Sequence, residues 1–203
     1  MLEFNEERHE YKASGLVVPS VTGILKAEGF IPPYETADGE HTKRGRNLHL
    51  TMQYEDERRL DEASLCEEYR AYLARYREFK VLTGVKILAC EQVVYSEKLG
   101  YAGTLDREVE FRGRYGIWDY KFPSAMRKER WHILQTAAYA IGKGRPDAQL
   151  GTLYFYSQNE LPKIVLHEDK EAIPDFTALA LAHNVKRKYR AQKMSYVYME
   201  ENL

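Results

Sequence analysis

The stretch Gly103-Thr104-Leu105-Asp106-Arg107-Glu108-Val109-Glu110-Phe111-Arg112-Gly113-Arg114-Tyr115-Gly116-Ile117-Trp118-Asp119-Tyr120-Lys121 decides the fold. Two β-prone runs flank Arg112-Gly113-Arg114, a segment suited to a tight turn, so residues 101–111 and 115–122 read as an antiparallel hairpin. With the loop at Arg112-Gly113, Asp106 faces Asp119 and Thr104 faces Lys121; with the loop at Gly113-Arg114, Asp106 faces Lys121. Both registers keep Asp106, Asp119 and Lys121 on one face, because side chains along a strand alternate with period two. Directly opposed Cβ atoms lie roughly 4.5–5.5 Å apart, and two carboxylates that close repel unless a cation sits between them. Lys121 can supply that charge as a plain ion pair. Hard oxygen donors at this separation also suit Mg²⁺ or Mn²⁺, and Gly103 leaves room for something to approach the backbone.

Working outward, residues 85–95 form a further Val/Ile/Leu-rich strand, which makes an antiparallel meander of three. Helical patterns precede it over residues 42–60 and 62–82, the second with a stripe of Leu65, Tyr69, Tyr72, Tyr76 and Phe79, and Gly84 ends it. A helix over 128–141 carries Trp131, Leu134, Ala138 and Ile141. Strands at 150–156 and 163–167 follow, and a closing helix over 173–192 turns Phe176, Leu179, Ala180 and Val185 inward. At the start, short strands at 2–4, 10–11 and 16–18 lead to Ser20, an N-cap before Val21, Ile24 and Leu25; Pro32-Pro33 closes that helix. The order predicts an α+β fold with a central mixed sheet, containing the antiparallel meander and flanked by helices.

The chain has 203 residues, 44% hydrophobic and 30% charged, with 30 Lys+Arg against 31 Asp+Glu. That content excludes a disordered chain, and no apolar run approaches the roughly 20 residues of a membrane span. The net charge of −1 makes no case for a polyanionic partner by itself, so a nucleic-acid site has to come from charge distribution. Cys66 and Cys90 are too few for a disulfide framework or a four-thiolate cluster and are expected as small buried groups. The acidic start lacks an apolar leader segment, so a cytoplasmic location is expected.

Two further pairs add chemistry. Gly45 lies one turn before His49, so the helix is expected to pack closely at Gly45 and project His49 from the same face; Gln135 and Tyr139 share a face of the later helix. A helical Gly-x-x-x-His, a Gly-Thr-Leu-Asp strand, Asp-x-Lys and Gln-x-x-x-Tyr, in that order from Gly45 to Tyr139, resemble the RecB-like branch of the PD-(D/E)XK nuclease superfamily. The lead-in His9-x-Tyr11 and Pro19-Ser20-Val21-Thr22-x-Ile24-Leu25 is similar to that of phage-type exonucleases and the mitochondrial genome maintenance exonuclease.

The resemblance implies a restriction-endonuclease-like core and a single nuclease domain over 1–203, with a lead-in at 1–40, the core at 41–170 and a C-terminal helix at 171–203. It implies Mg²⁺ or Mn²⁺ held by His49, Asp106, Asp119 and the Tyr120 backbone carbonyl, with Lys121 at the attacking water or scissile phosphate and Gln135 and Tyr139 orienting it. Asp119 replaces the commoner Glu. The four cysteines of cluster-bearing relatives are missing, so no iron–sulfur cluster is expected. Glu91 aligns with an acid often found near such sites, its facing undetermined.

The expected activity is phosphodiester hydrolysis of DNA, most naturally as an exonuclease on single strands or DNA ends in recombination, repair or phage replication, with a single-strand-binding or recombination protein as a further candidate partner. The alternatives are a non-catalytic nucleic-acid-binding protein of the same fold and a restriction-type endonuclease. Phosphate positioners are sought in Lys43, Arg44 and Arg46 at one helix start and Arg127, Lys128 and Arg130 at another. The basic run Lys186, Arg187, Lys188, Arg190 and Lys193 reads equally as a solvated face. Tyr34 is a stacking candidate, as are Tyr120 and Trp131 unless these belong to the core. The acidic runs Glu55-Asp56-Glu57 and Glu67-Glu68 are expected away from the substrate.

Overall fold

The computed structural model describes residues 2–5, 8, 10–32, 39–123 and 129–200, with backbone alone at 40, 41 and 191–200. His9, Pro33, Tyr34, Arg127 and Lys128 lie outside the described residues, as does the side chain of Lys193. The described elements are strands β1 (Leu2–Asn5), β2 (Glu10–Ala13) and β3 (Leu16–Val18), helices α1 (Val21–Ala27), α2 (Glu40–Asp56) and α3 (Glu67–Thr83), strands β4 (Lys86–Ser96), β5 (Tyr101–Phe111) and β6 (Arg114–Lys121), helix α4 (Arg130–Gly142), strands β7 (Gln149–Tyr154) and β8 (Lys163–Leu166), and helix α5 (Ala172–Glu200). This is the α+β order the patterning predicts. The helix expected over 62–82 begins instead as a short 3₁₀ turn at Glu62–Ser64.

Strands β4 to β8 form one sheet in sequential order, antiparallel except for the parallel pair β6·β7. A parallel pair needs a crossover, and α4 supplies it. Strands β1 to β3 form a small antiparallel sheet that joins the large one where Ala102 N–H donates to the Pro19 carbonyl. Ser20 caps α1 as expected, its hydroxyl accepting the Gly23 N–H at 2.9 Å.

Two apolar clusters cover the two faces. On one face Ile24 and Leu25 of α1, Leu134 and Ala138 of α4 and Phe176 of α5 pack on Leu105, Ile117 and Leu150. On the other, Leu48 and Met52 of α2 with Tyr72, Leu73, Tyr76 and Phe79 of α3 pack on Val109, Trp118, Tyr120 and Phe155. Trp131 and Tyr120 belong to these clusters, so their rings are core rather than open stacking platforms. Three expectations are corrected: Val185 is exposed on α5, Cys66 is exposed and Cys90 only half-buried, and Gly45 packs against nothing, since a Cβ there meets no atom within 4 Å.

Arg112 and Gly113 have φ of 53° and 72°, the pair of positive values that a two-residue type I′ turn requires. This selects the first register, running from Phe111↔Arg114 to Arg107↔Trp118. Beyond Trp118, β6 continues alongside β7 as far as Lys121↔Tyr154, so Asp106 and Asp119 stand where β5 and β6 part. The period-two argument does not survive intact on β5: Leu105 packs in the α4-side cluster while Val109 and Phe111 pack on the α2/α3 side. The reversal falls at Asp106, next to Glu91 of the neighbouring strand, whose φ of 48° is itself unusual for a strand residue.

Candidate active site

At this fork the Asp106 carboxylate accepts the Tyr120 backbone N–H at 2.7 Å, a main-chain donor satisfied by a side chain where the strands separate. Its Oδ2 also lies 2.9 Å from His49 Nε2, so α2 closes over the fork from the α2/α3 face. From the other face α4 approaches: Lys121 Nζ donates to Gln135 Oε1 at 3.0 Å, and Gln135 Nε2 donates to the Tyr139 hydroxyl at 2.8 Å. Tyr139 reaches this position across Gly103, where a Cβ would come 2.9 Å from Tyr139 Cε1; the room at Gly103 is thus for Tyr139. The structure pairs His49 with Asp106 on one side and joins Asp119, Lys121, Gln135 and Tyr139 on the other, and the Tyr120 main chain, whose N–H the Asp106 carboxylate accepts, links the two sets.

Asp119 is buried to 1% exposure, and Lys121 Nζ lies 2.8 Å from its Oδ2. Beyond this ion pair, neither Asp119 oxygen has a hydrogen-bond partner among the described residues. An ionised carboxylate buried in that state is costly. A hard cation would satisfy it, and the surrounding donors are of the kind Mg²⁺ or Mn²⁺ accepts. The donor atoms of His49, Glu91 and Asp106 lie within 4.8 Å of one another. That trio includes Glu91, whose facing the sequence left open, and does not include Asp119.

Glu91 Oε1 is 3.7 Å from His49 Nδ1 and 3.0 Å from Arg107 Nη1. Arg107 is fully buried, lies over the Tyr120 ring at 4.7 Å, donates to the Asp106 carbonyl at 2.7 Å and pairs with Asp56 at 2.8 Å. Asp56 is fully buried too and accepts from the Tyr76 hydroxyl at 2.7 Å and from Lys80 at 2.8 Å. The expectation that Glu55-Asp56-Glu57 points away is therefore wrong for Asp56, which anchors the layer behind the site, and for Glu57, which lines the groove beside His49. A signal for Arg107 was present: it is the one charge in an alternation with the apolar Val109 and Phe111, and an inward charge needs a buried partner.

Burial pushes the Asp119 carboxyl up to about 7, with Lys121 pulling down and the Asp106 charge pushing up. Burial also raises Glu91 to about 7, helped by Asp106 and opposed by His49 and Arg107. For Asp106 burial acts upward but is outweighed by the His49 charge and hydrogen bond, by Lys121 and by the Tyr120 N–H, leaving it at about 2. His49 is correspondingly raised: burial lowers it, and Asp106 and Glu91 more than compensate. Carboxyls held at such different values within one cluster mark candidate functional sites.

His49, Glu91 and Lys121 line a groove of about 1100 Å³ together with Thr104, Tyr120, Phe122, Phe4, Gly45, Arg46, Leu50 and Val93, whereas the buried Asp106 and Asp119 are not among its lining residues. Of the basic residues named from the sequence, Lys43 and Arg46 are exposed, and Arg46 lines the groove. Arg44 is engaged by Glu68 at 2.6 Å and by the Tyr72 hydroxyl at 2.7 Å, which also fixes Glu68 as a structural partner. Arg130 is paired with Asp169 and Asp175; it ties the start of α4 to α5 and is not among the groove residues. Lys186 pairs with Glu28, and Arg187 donates to the Val17 carbonyl, so part of the α5 basic run anchors that helix. No described helix is long and apolar enough to cross a membrane.

No protein-family model matches this sequence, and no curated protein matches it. Among solved structures, that of LHK-Exo in complex with dAMP matches with a TM-score of 0.52 at 10% identity, covering 90% of this chain and 94% of that one. A second structure, of an alkaline exonuclease (LHK-Exo) from Laribacter hongkongensis, matches with a TM-score of 0.46 at 12% identity, over 88% of this chain and 93% of that one. The first match shows a shared fold, and at this identity the likeness is one of fold alone. The resemblance drawn from the motifs is met at that level.

Proposed function

We propose that this chain is a divalent-metal-dependent deoxyribonuclease, an exonuclease that hydrolyses DNA from its ends in recombination, repair or phage replication. One observation carries the reading: a buried carboxylate without a hydrogen-bond partner, Asp119, stands beside Asp106 and Lys121 at the open end of a strand fork. The fold shared with an alkaline exonuclease crystallised with dAMP supports it.

In this reading His49, Asp106, Asp119 and the Tyr120 backbone carbonyl hold Mg²⁺ or Mn²⁺, with Glu91 available as a further oxygen donor or as the group that steadies His49. The bound ion supplies a water of lowered pKa and charge stabilisation at the phosphate. Asp119 must be ionised to bind a cation, so proton competition at its raised pKa weakens binding as the pH falls through about 7. Lys121 keeps its ammonium at the fork through the Asp119 ion pair and the Gln135 hydrogen bond and presents a further N–H to the attacking water or a phosphate oxygen; Tyr139 fixes the amide orientation of Gln135. Lys43 and Arg46 are the phosphate positioners on the α2 wall, and Arg127 and Lys128 are proposed for the same task at the approach to α4.

The test uses end-labelled linear single and double strands and a covalently closed single-stranded circle, each with Mg²⁺, Mn²⁺ or EDTA. Mononucleotide release from linear DNA with either ion, with the circle untouched, is expected. Cutting of the circle sinks the exonuclease part, and discrete fragments indicate a restriction-type enzyme. DNA binding that survives EDTA without release of any nucleotide, in all conditions, indicates a non-catalytic binding protein.

A further inference from the structure

We propose that Trp131 is a positioning residue for Lys121, its indole face a neutral clamp that holds the ammonium at the fork; the role rests on the nuclease reading above. Trp131 is the second residue of α4, 7% exposed. Lys121 Nζ sits 4.7 Å from its ring centroid, within the range where the negative face of an indole attracts a cation. The adjacent His132 imidazole makes a T-shaped contact with the ring, centroids 4.0 Å apart, and His132 Nδ1 is 2.7 Å from the Tyr154 hydroxyl. Tyr154 is the cross-strand partner of Lys121, so α4 and β7 close a loop around the lysine.

The chemistry of the clamp follows from what the other partners of Lys121 must do. Asp119 is one of them, and a carboxylate that binds a metal ion shares its charge with that ion and holds the ammonium less strongly. Gln135 supplies one neutral acceptor. A third carboxylate would add to the negative charge of Asp106, Asp119 and Glu91 and compete for the cation, and an aliphatic side chain would offer no attraction. An aromatic face attracts the ammonium without consuming an N–H, leaving a donor free for substrate.

The test compares wild type, Trp131→Phe and Trp131→Leu, each verified as folded by thermal unfolding. In the metal-free protein, the Lys121 side-chain methylene protons are expected upfield of their ordinary positions through the ring current, in wild type and in Trp131→Phe but not in Trp131→Leu. In DNA hydrolysis, Trp131→Leu is expected to lower kcat about tenfold or more with KM changed less than about twofold, and Trp131→Phe to recover most of kcat. Equal kcat for Trp131→Leu and wild type overturns the proposal, as does an equal loss in Phe and Leu variants, which would mean packing alone. An absent ring-current shift in wild type overturns the contact itself. If wild type cleaves no DNA with either ion, the nuclease reading and the catalytic role fall together, while the metal-free spectrum still reports the contact independently.

Discussion

Substituting Asp56 by Ala should be among the most destabilising single changes in this chain, although the residue sits in a run of three acids that looks like open surface. Asp56 and Arg107 are both fully buried, paired at 2.8 Å, and Asp56 also accepts from Tyr76 and Lys80. Removing one member of a buried pair leaves the other charge uncompensated, at a cost of about 3–5 kcal/mol. Glu91 stays within 3.0 Å of Arg107, which places the loss toward the lower end of that range. For a chain of 203 residues each kcal/mol moves Tm by about 2–4 °C, so a fall of roughly 6–15 °C is expected. Urea denaturation of Asp56→Ala and of a closed cycle of Asp56→Leu, Arg107→Met and the double variant Asp56→Leu/Arg107→Met reads the loss and the coupling directly. Because the double variant leaves neither member of the Asp56–Arg107 pair buried without the other, it should lose less than the sum of the single losses. A loss under about 1 kcal/mol for Asp56→Ala, or simple additivity in the double variant, would refute the claim that this pair anchors the layer behind the site.

Further outcomes concern the site. Asp119 and Glu91, both near 7, and His49, raised above its ordinary value, all bind protons more tightly folded than unfolded. The carboxyl contributions are therefore fully present below about pH 4 and lost as pH rises through about 7, and that of His49 is lost as pH rises through its elevated pKa. The metal-free protein should lose stability between about pH 5 and 8, and Mn²⁺ should raise Tm more at pH 8 than at pH 5.5; an equal shift at both would contradict the proton linkage. Gly103→Ala places a methyl 2.9 Å from both Tyr139 Cε1 and Val21 Cγ2, an overpacking cost of about 1–3 kcal/mol. Gly45→Ala meets nothing within 4 Å on α2 and should stabilise by about 0.5–1 kcal/mol; denaturation midpoints that rank these two the other way would contradict both packing arguments. DNA affinity should fall steeply between 50 and 200 mM salt, and Arg46→Ala should flatten the log–log slope by about one. A slope unchanged by Arg46→Ala would remove that residue from the DNA path.

The parts of the site that were legible in the sequence are those set by short-range geometry. Asp106, Asp119 and Lys121 lie on two strands joined by a two-residue turn, so strand periodicity and turn chemistry bring them together without knowledge of the rest of the fold. Gln135 and Tyr139 share a helix face for a similarly local reason. What escaped depends on how separate elements are stacked. Asp56 is buried only because α2 lies over β5, and nothing in Glu55-Asp56-Glu57 distinguishes the middle acid from its neighbours. The positive φ of Glu91 and the reversal of facing at Asp106 are departures from a regular strand, and a period-two argument assumes regularity. A glycine one turn before His49 suggests a packing contact, because small helical residues often are one, whereas Gly45 lies on the open wall of the groove. Arg44 and Arg130 stand at helix starts where phosphate positioners are expected, yet Glu68 and the Asp169/Asp175 pair engage them.

The most direct test of the central claim measures nucleotide release from end-labelled DNA by wild type and Asp119→Ala in Mn²⁺, Mg²⁺ and EDTA, with unfolding curves confirming that both are folded. The account predicts release by wild type with metal only, and a loss of at least about a hundredfold in Asp119→Ala without loss of stability. Equal release by the two proteins, or release by wild type that persists in EDTA, would contradict it.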